Sequence, residues 1–159
     1  MKRPNNTLIH RIGVNHAENA FYFRKLNAQR SSRGCTPDFT IRYENSAPKT
    51  VSVKTITKPE SGLGDFFTDV PDKVNDPSRH FMIYLDFTKG PNPEAWIVPY
   101  EETRKYSTEP PSGKVMIKGK DVRDYLGQYK DAWHLLEEAM ICGMPELAER
   151  APREQAVCH

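Results

Sequence analysis

Two short runs of alternating residues constrain this chain more than any other part of it. In the first, Phe39, Ile41 and Tyr43 alternate with Asp38, Thr40 and Arg42. In the second, Val51, Val53 and Thr55 alternate with Ser52 and Lys54. A period of two places each set on its own face of an extended strand. The turn-forming stretch Asn45-Ser46-Ala47-Pro48 separates the runs, so they read as neighbouring strands over residues 38–44 and 49–56. A one-residue slip would bury Lys54 among apolar groups, which disfavours that register. Keeping the two polar faces together requires paired residue numbers with an even sum. Asp38 then falls opposite or diagonal to Lys54.

Around this pair the sequence predicts one α+β domain with a central mixed sheet. The 159 residues suffice for one domain with a real core and are too few for two comfortable ones. Residues 1–12 read as a flexible arm. Residues 14 to about 29 read as a helix, with Asn15 as its N-cap and Ala17, Ala20, Phe21 and Ala28 on its apolar stripe. Residues 57–79 are rich in Pro, Gly, Asp and Ser and predict a long excursion with one short helical turn. Residues 80–87 are almost unbroken in apolar character, as in a central strand covered on both faces. Residues 95–99 form the next strand, stopped by Pro99. Short helices are expected over 101–106 and 121–126, an edge strand over 115–117, and a helix over 131–141 with Ala132, Leu135, Leu136 and Ala139 inward. The domain is thus bounded at 13–142, with a tail over 143–159.

No apolar run approaches membrane-spanning length, and the N-terminus lacks the apolar core of a signal peptide, so the chain is expected in the cytoplasm. The sequon Asn5-Asn6-Thr7 is then not a glycosylation site. Cys35, Cys142 and Cys158 are odd in number and scattered, which excludes a disulfide framework or a zinc pair. The five histidines are equally dispersed, and His10, Asn15 and His16 are too cramped for a histidine–asparagine–histidine nuclease hairpin. The net charge of +2 conceals a gradient. Residues 1–35 carry seven Lys/Arg against Glu18 alone, while residues 131–159 carry six acids against two arginines. A basic N-terminal third suits a phosphate-facing surface and equally suits a solvated helix face.

An Asp and a Lys on adjacent strands supply much of a metal-dependent phosphodiesterase site. A divalent ion polarises the phosphate and lowers the pKa of the attacking water. Mg²⁺ wants carboxylate oxygens, usually one or two from protein. A nearby Lys offsets developing negative charge. Asp38 would be the principal ligand and Lys54 the cationic partner. The second acid is expected two residues before the lysine, where this chain has Ser52, a weak neutral ligand. Glu18 on the first helix is the best substitute, and Glu44 a poorer one beyond its strand. On residue type alone, Asp38 also reads as a strand start or turn cap, Lys54 as a solvated edge charge and Glu18 as a surface helix residue. Trp96 and Trp133 read as core.

Taken in order, Glu18 in its helix, Pro37-Asp38, Ser52-Val53-Lys54-Thr55, Trp96-Ile97-Val98-Pro99 and Ala132-Trp133-His134-Leu135-Leu136 resemble the PD-(D/E)XK nuclease superfamily. The likeness is to small uncharacterised members whose second strand reads x-Val-Lys-Thr, and it spans about residues 13–138. It implies a restriction-endonuclease-like or Holliday-junction-resolvase-like core: an N-terminal helix, four to five strands and C-terminal helices. It further implies a Mg²⁺- or Mn²⁺-dependent endonuclease acting on nucleic acid, DNA ahead of RNA, with a homodimer as the common assembly. Asp38 and Glu18 would hold the metal, Lys54 would position water or phosphate, and Ser52 would bond to a metal-bound water. Arg24, Lys25, Arg30 and Arg33 would track the nucleic-acid backbone. Ser52 is the departure from the pattern. It keeps two other readings open: a nucleic-acid-binding module with impaired catalysis, and an interaction or immunity partner in a defence or mobile-element system.

Overall fold

The computed structural model describes residues 6–32, 35–57, 64–109 and 113–138. Helix α1 (Asn6–Phe23) leads into β1 (Asn27–Arg30), β2 (Phe39–Arg42), β3 (Lys49–Ile56), β4 (Asp65–Phe67), β5 (His80–Asp86) and β6 (Glu94–Pro99). Helix α2 (Tyr100–Tyr106), β7 (Ser107–Thr108), β8 (Met116–Lys118) and α3 (Gly119–Tyr125) follow, with 3₁₀ turns at Pro71–Lys73, Pro77–Arg79, Gly127–Tyr129 and Trp133–Leu136. The main sheet has five strands in the order β1-β2-β3-β5-β6, and β4-β8-β7 form a second, three-stranded sheet. Only β3 and β5 run parallel within the main sheet, so it is mixed, as expected of an α+β fold. No helix among the described residues is long and apolar enough to cross a membrane.

Helix α1 begins and ends earlier than its sequence suggests. Residues 6–12, expected in the loose arm, are helical, and Asn15 lies inside the helix rather than capping it. The helix stops at Phe23 because Lys25 takes a left-handed conformation (φ 57°). The Leu26 amide then bonds the Phe21 carbonyl at 3.0 Å and the Lys25 amide bonds Tyr22 at 3.0 Å. That pattern closes a helix C-terminus, and Leu26 packs into the core beneath it. Ala28, expected on the helical stripe, therefore belongs to β1 and pairs with Ile41. Near the C-terminus, the expected helix over 131–141 is a 3₁₀ turn at Trp133–Leu136, and its residues 139–141 lie outside the described residues.

The main sheet is covered on both faces, and the period of two sorts its residues between them. Val51, Val53, Phe81, Ile83, Leu85 and Ile97 face α1 with Val14, Ala17, Phe21, Trp133 and Leu136. Met82, Tyr84, Trp96 and Val98 face the small sheet with Phe66, Tyr100, Ile117 and Leu126. This explains why β5 is buried along its whole length. Each fully buried large side chain contributes roughly 1.5–3 kcal/mol. Gly13 sets how closely α1 approaches: a Cβ there would meet Thr55 Oγ1 at 1.8 Å and Val53 Cγ1 at 3.3 Å. Thr50, Ser52 and Lys54 alternate with the apolar set on β3, so they point toward the small sheet and the loop preceding β5.

Candidate functional site

The register of β2 on β3 pairs Phe39 with Val51 and Thr40 with Thr50, an even sum. Asp38, one residue before β2, therefore stands opposite Ser52 and diagonal to Lys54. It is tightly held. Its amide bonds the Val51 carbonyl at 2.9 Å, and its Oδ2 accepts from the Val53 amide at 2.7 Å. The carboxylate thus extends the β2–β3 ladder by one bond beyond the Asp38 amide. Its other oxygen, Oδ1, lies 3.1 Å from His10 Nε2, and the side chain is 16% exposed. One carboxylate oxygen faces the fold and the other faces a solvent-open cleft.

The Ser52 position is not left without an acid. Asp69, from the loop between β4 and β5, lies over it and accepts a hydrogen bond from the Ser52 hydroxyl. Asp69 Oδ1 is 3.0 Å from Lys54 Nζ, and Oδ2 is 2.9 Å from His80 Nε2. His80 Nδ1 in turn lies 2.8 Å from Thr50 Oγ1. An ionised carboxylate only accepts, so His80 Nε2 carries a proton. Burial alone would raise the Asp69 pKa. The His80 hydrogen bond, the Lys54 charge and the Ser52 hydroxyl outweigh burial and hold it below the usual carboxylate range. Tyr100 fixes the loop by donating to the Asp69 carbonyl at 2.9 Å. Neither Asp69 nor His80 stands out in a motif, but one signal was present. His80 opens a strand buried on both faces, and a buried imidazole needs a polar partner.

The arrangement makes a sharp prediction about Ser52, which is 2% exposed. Restoring the missing acid as Ser52→Glu adds bulk to a packed position and sets a second carboxylate against Asp69. The variant is expected to melt earlier, by about 1–3 kcal/mol from overpacking alone, and to gain no divalent-ion affinity. Calorimetric titration with Mn²⁺ and thermal denaturation check it. Tighter Mn²⁺ binding with unchanged stability would show that Asp69 does not occupy this role.

The remaining expected site residues are dispersed along α1 and β1. Glu18 is half exposed and engages Arg30, not Asp38. It lies two turns beyond His10, the helix residue that does reach Asp38, or about 12 Å along the axis. Asp38, His10, Arg11, Arg30 and Thr7 line a cleft of about 290 Å³. Arg30 also bonds Asn15 at 3.0 Å and lies over the Phe39 ring. Arg11, which the sequence marks only as one of seven basic residues in the N-terminal third, thus shares a cleft with Asp38. Arg24 pairs with Glu137 and covers Trp133, and Lys25 follows it, so both sit at the far end of α1. Arg33 lies outside the described residues. Among the described residues, no group of three or more His, Cys, Asp or Glu side chains is placed to hold a metal ion.

No family model matches the sequence, and no curated protein is similar to it. Among solved structures, the chain is similar to a bacterial homing endonuclease, with a TM-score of 0.59 at 14% identity. The match covers 84% of this chain and 92% of the endonuclease. At that identity the likeness is one of fold.

Proposed function

We propose that this chain is a nuclease of the PD-(D/E)XK type that hydrolyses phosphodiester bonds in DNA. The observation that carries the reading is the placement of Asp38 opposite Ser52 and diagonal to Lys54, at the mouth of a basic cleft, on a fold similar to a homing endonuclease. Asp69 compensates for Ser52 by holding Lys54 in place rather than by binding metal, since both its oxygens are engaged and its side chain is only 4% exposed.

The donor set fits a hard cation in its leanest form. Asp38 offers one cleft-facing carboxylate oxygen, now 3.1 Å from the half-exposed His10 ring, which would swing aside for Mg²⁺ or Mn²⁺ completing its shell with phosphate oxygens and water. It does not suit zinc, which takes three or four protein donors. When bound, such an ion supplies an acidic water and polarises the phosphate. The chain does the rest. Arg11 and Arg30 draw the phosphate backbone into the cleft. Lys54 Nζ, oriented by Asp69, offsets the charge that builds on the phosphate as water adds and the bond to the leaving oxygen breaks. The Asp38 carboxylate, anchored by the Val53 amide, would hold the cation beside the phosphate.

The test is incubation of plasmid and linear DNA with the intact chain in Mg²⁺, in Mn²⁺ and in EDTA. Cleavage is expected with divalent ion and none with EDTA. One observation favours a second reading, a binding module with catalysis lost: the Lys54 ammonium is already neutralised by a buried carboxylate. DNA binding without cleavage in either metal would select that module. No binding to any nucleic acid at low salt would overturn both readings in favour of a protein-interaction role.

A further inference from the structure

The nuclease reading uses Lys54 but leaves unexplained the cleft it opens into. That cleft, about 400 Å³, runs from Thr36, two residues from Asp38, past Lys54 to Phe67, Lys73 and Lys114. Its only described acid is Asp69, which is matched by Lys54 and His80. Lys73 and Lys114 have no carboxylate partner among the described residues, so the cleft carries unbalanced positive charge. Phe67 stands in its wall at 50% exposure, while its neighbour Phe66 is 2% exposed in the core beneath the small sheet. Strand alternation therefore presents Phe67 outward in β4. Lys114 Nζ lies 5.5 Å from the centre of the Phe67 ring.

An exposed aromatic ring flanked by unpaired lysines, in a groove that ends at a candidate scissile position, has the components of a single-strand nucleic-acid platform. Bases stack on the ring irrespective of sequence, and cations follow the phosphates. A base in a duplex has both faces occupied, so only an unpaired base can use Phe67. Stacking on the ring would displace the Lys114 ammonium, whose flexible stem lets it move to the adjoining phosphate. We propose that this cleft binds an unpaired stretch of DNA next to the cleaved phosphate, with a base on Phe67 and the phosphates on Lys73 and Lys114. The substrate is then DNA with a single-stranded segment rather than continuous duplex. This rests on the nuclease reading and narrows it.

The test is fluorescence anisotropy in EDTA with three labelled probes: a 20-nucleotide oligothymidylate, a blunt duplex, and the same duplex with a single-stranded overhang. The single-stranded and overhang probes are expected to bind more tightly than the blunt duplex. Phe67→Ala should weaken those two by roughly five- to 150-fold, the loss of one stacked base, and leave the blunt duplex unchanged. Phe67→Trp should restore binding. Lys73→Gln with Lys114→Gln should lower the salt-dependence slope on oligothymidylate by about 1.4. Phe67 is exposed, and a thermal melt checks that the variant stays folded. Equal affinity for all three probes with Phe67→Ala silent would overturn this inference alone. An equal loss on all three would also overturn it. No DNA binding by the wild-type chain would overturn it together with the nuclease reading.

Discussion

Asp38→Asn is expected to lower metal-dependent DNA cleavage by roughly two to three orders of magnitude, the usual loss when one electrostatic group of a catalytic centre is removed. The fold should lose no more than about 1 kcal/mol, the difference between a hydrogen bond to a charged and to a neutral acceptor. The reasoning separates two jobs done by one side chain. Oδ2 accepts from the Val53 amide at 2.7 Å and completes the β2–β3 ladder. An Asn carbonyl oxygen in the same place keeps that bond. What it cannot keep is the negative charge on the cleft side, where Oδ1 now lies 3.1 Å from His10. Asp38→Ala confuses the two jobs, because it also strands the Val53 amide at a cost of about 1–3 kcal/mol. Cleavage rates in Mg²⁺ should therefore be compared with thermal melts of both variants. Wild-type cleavage by Asp38→Asn would remove Asp38 from the chemistry. A melt of Asp38→Ala as high as wild type would remove it from the ladder.

What the sequence disclosed, and what it withheld, follows from how far each constraint reaches. The parity of the β2–β3 register was legible because burying Lys54 among apolar groups is disfavoured, but the particular pairing of Phe39 with Val51 was not. The central strand β5 was legible because every residue from His80 to Asp86 is buried, which leaves no room for polar alternation. The end of α1 was not legible. A lysine in the left-handed conformation closes the helix, and nothing in a lysine announces that as a glycine would. The small sheet was largely invisible because β4 and β7 are three and two residues long, below the length at which periodicity can be read. The site shows the same division. Asp38, Ser52 and Lys54 share one strand pair, and local alternation sets them opposite and diagonal, with Asp38 opening on the cleft beside α1 and Lys54 on the one beside β4. Asp69 reaches them only through the tertiary path of a loop that holds two prolines and no periodic pattern, and Glu18 pairs instead with Arg30 from β1, a strand that begins within the expected helix.

Asp69 carries the second large expectation, on stability rather than on rate. Its side chain is 4% exposed and faces the Lys54 ammonium and the His80 ring, itself 1% exposed. Asp69→Ala leaves both without their acceptor. Breaking a buried pair costs about 3–5 kcal/mol, and the lower end applies here because Lys54 keeps a quarter of its side chain in water. For a chain of this length about 3 kcal/mol corresponds to a melting temperature lower by roughly 6–12 °C. The pH dependence has a definite sign. Asp69 is held below the usual carboxylate range, so its contribution is present above the unfolded value of about 3.9 and is lost as pH falls toward the folded value. The stability gap between wild type and Asp69→Asn should therefore be full at pH 7 and shrink below about pH 4. Denaturant melts of both proteins at pH 7, 5, 4 and 3 measure it. A gap that stays constant down to pH 3 would mean that the carboxylate charge does no structural work there. Lys54 would then be positioned by something other than Asp69, and the compensation for Ser52 would fail with it.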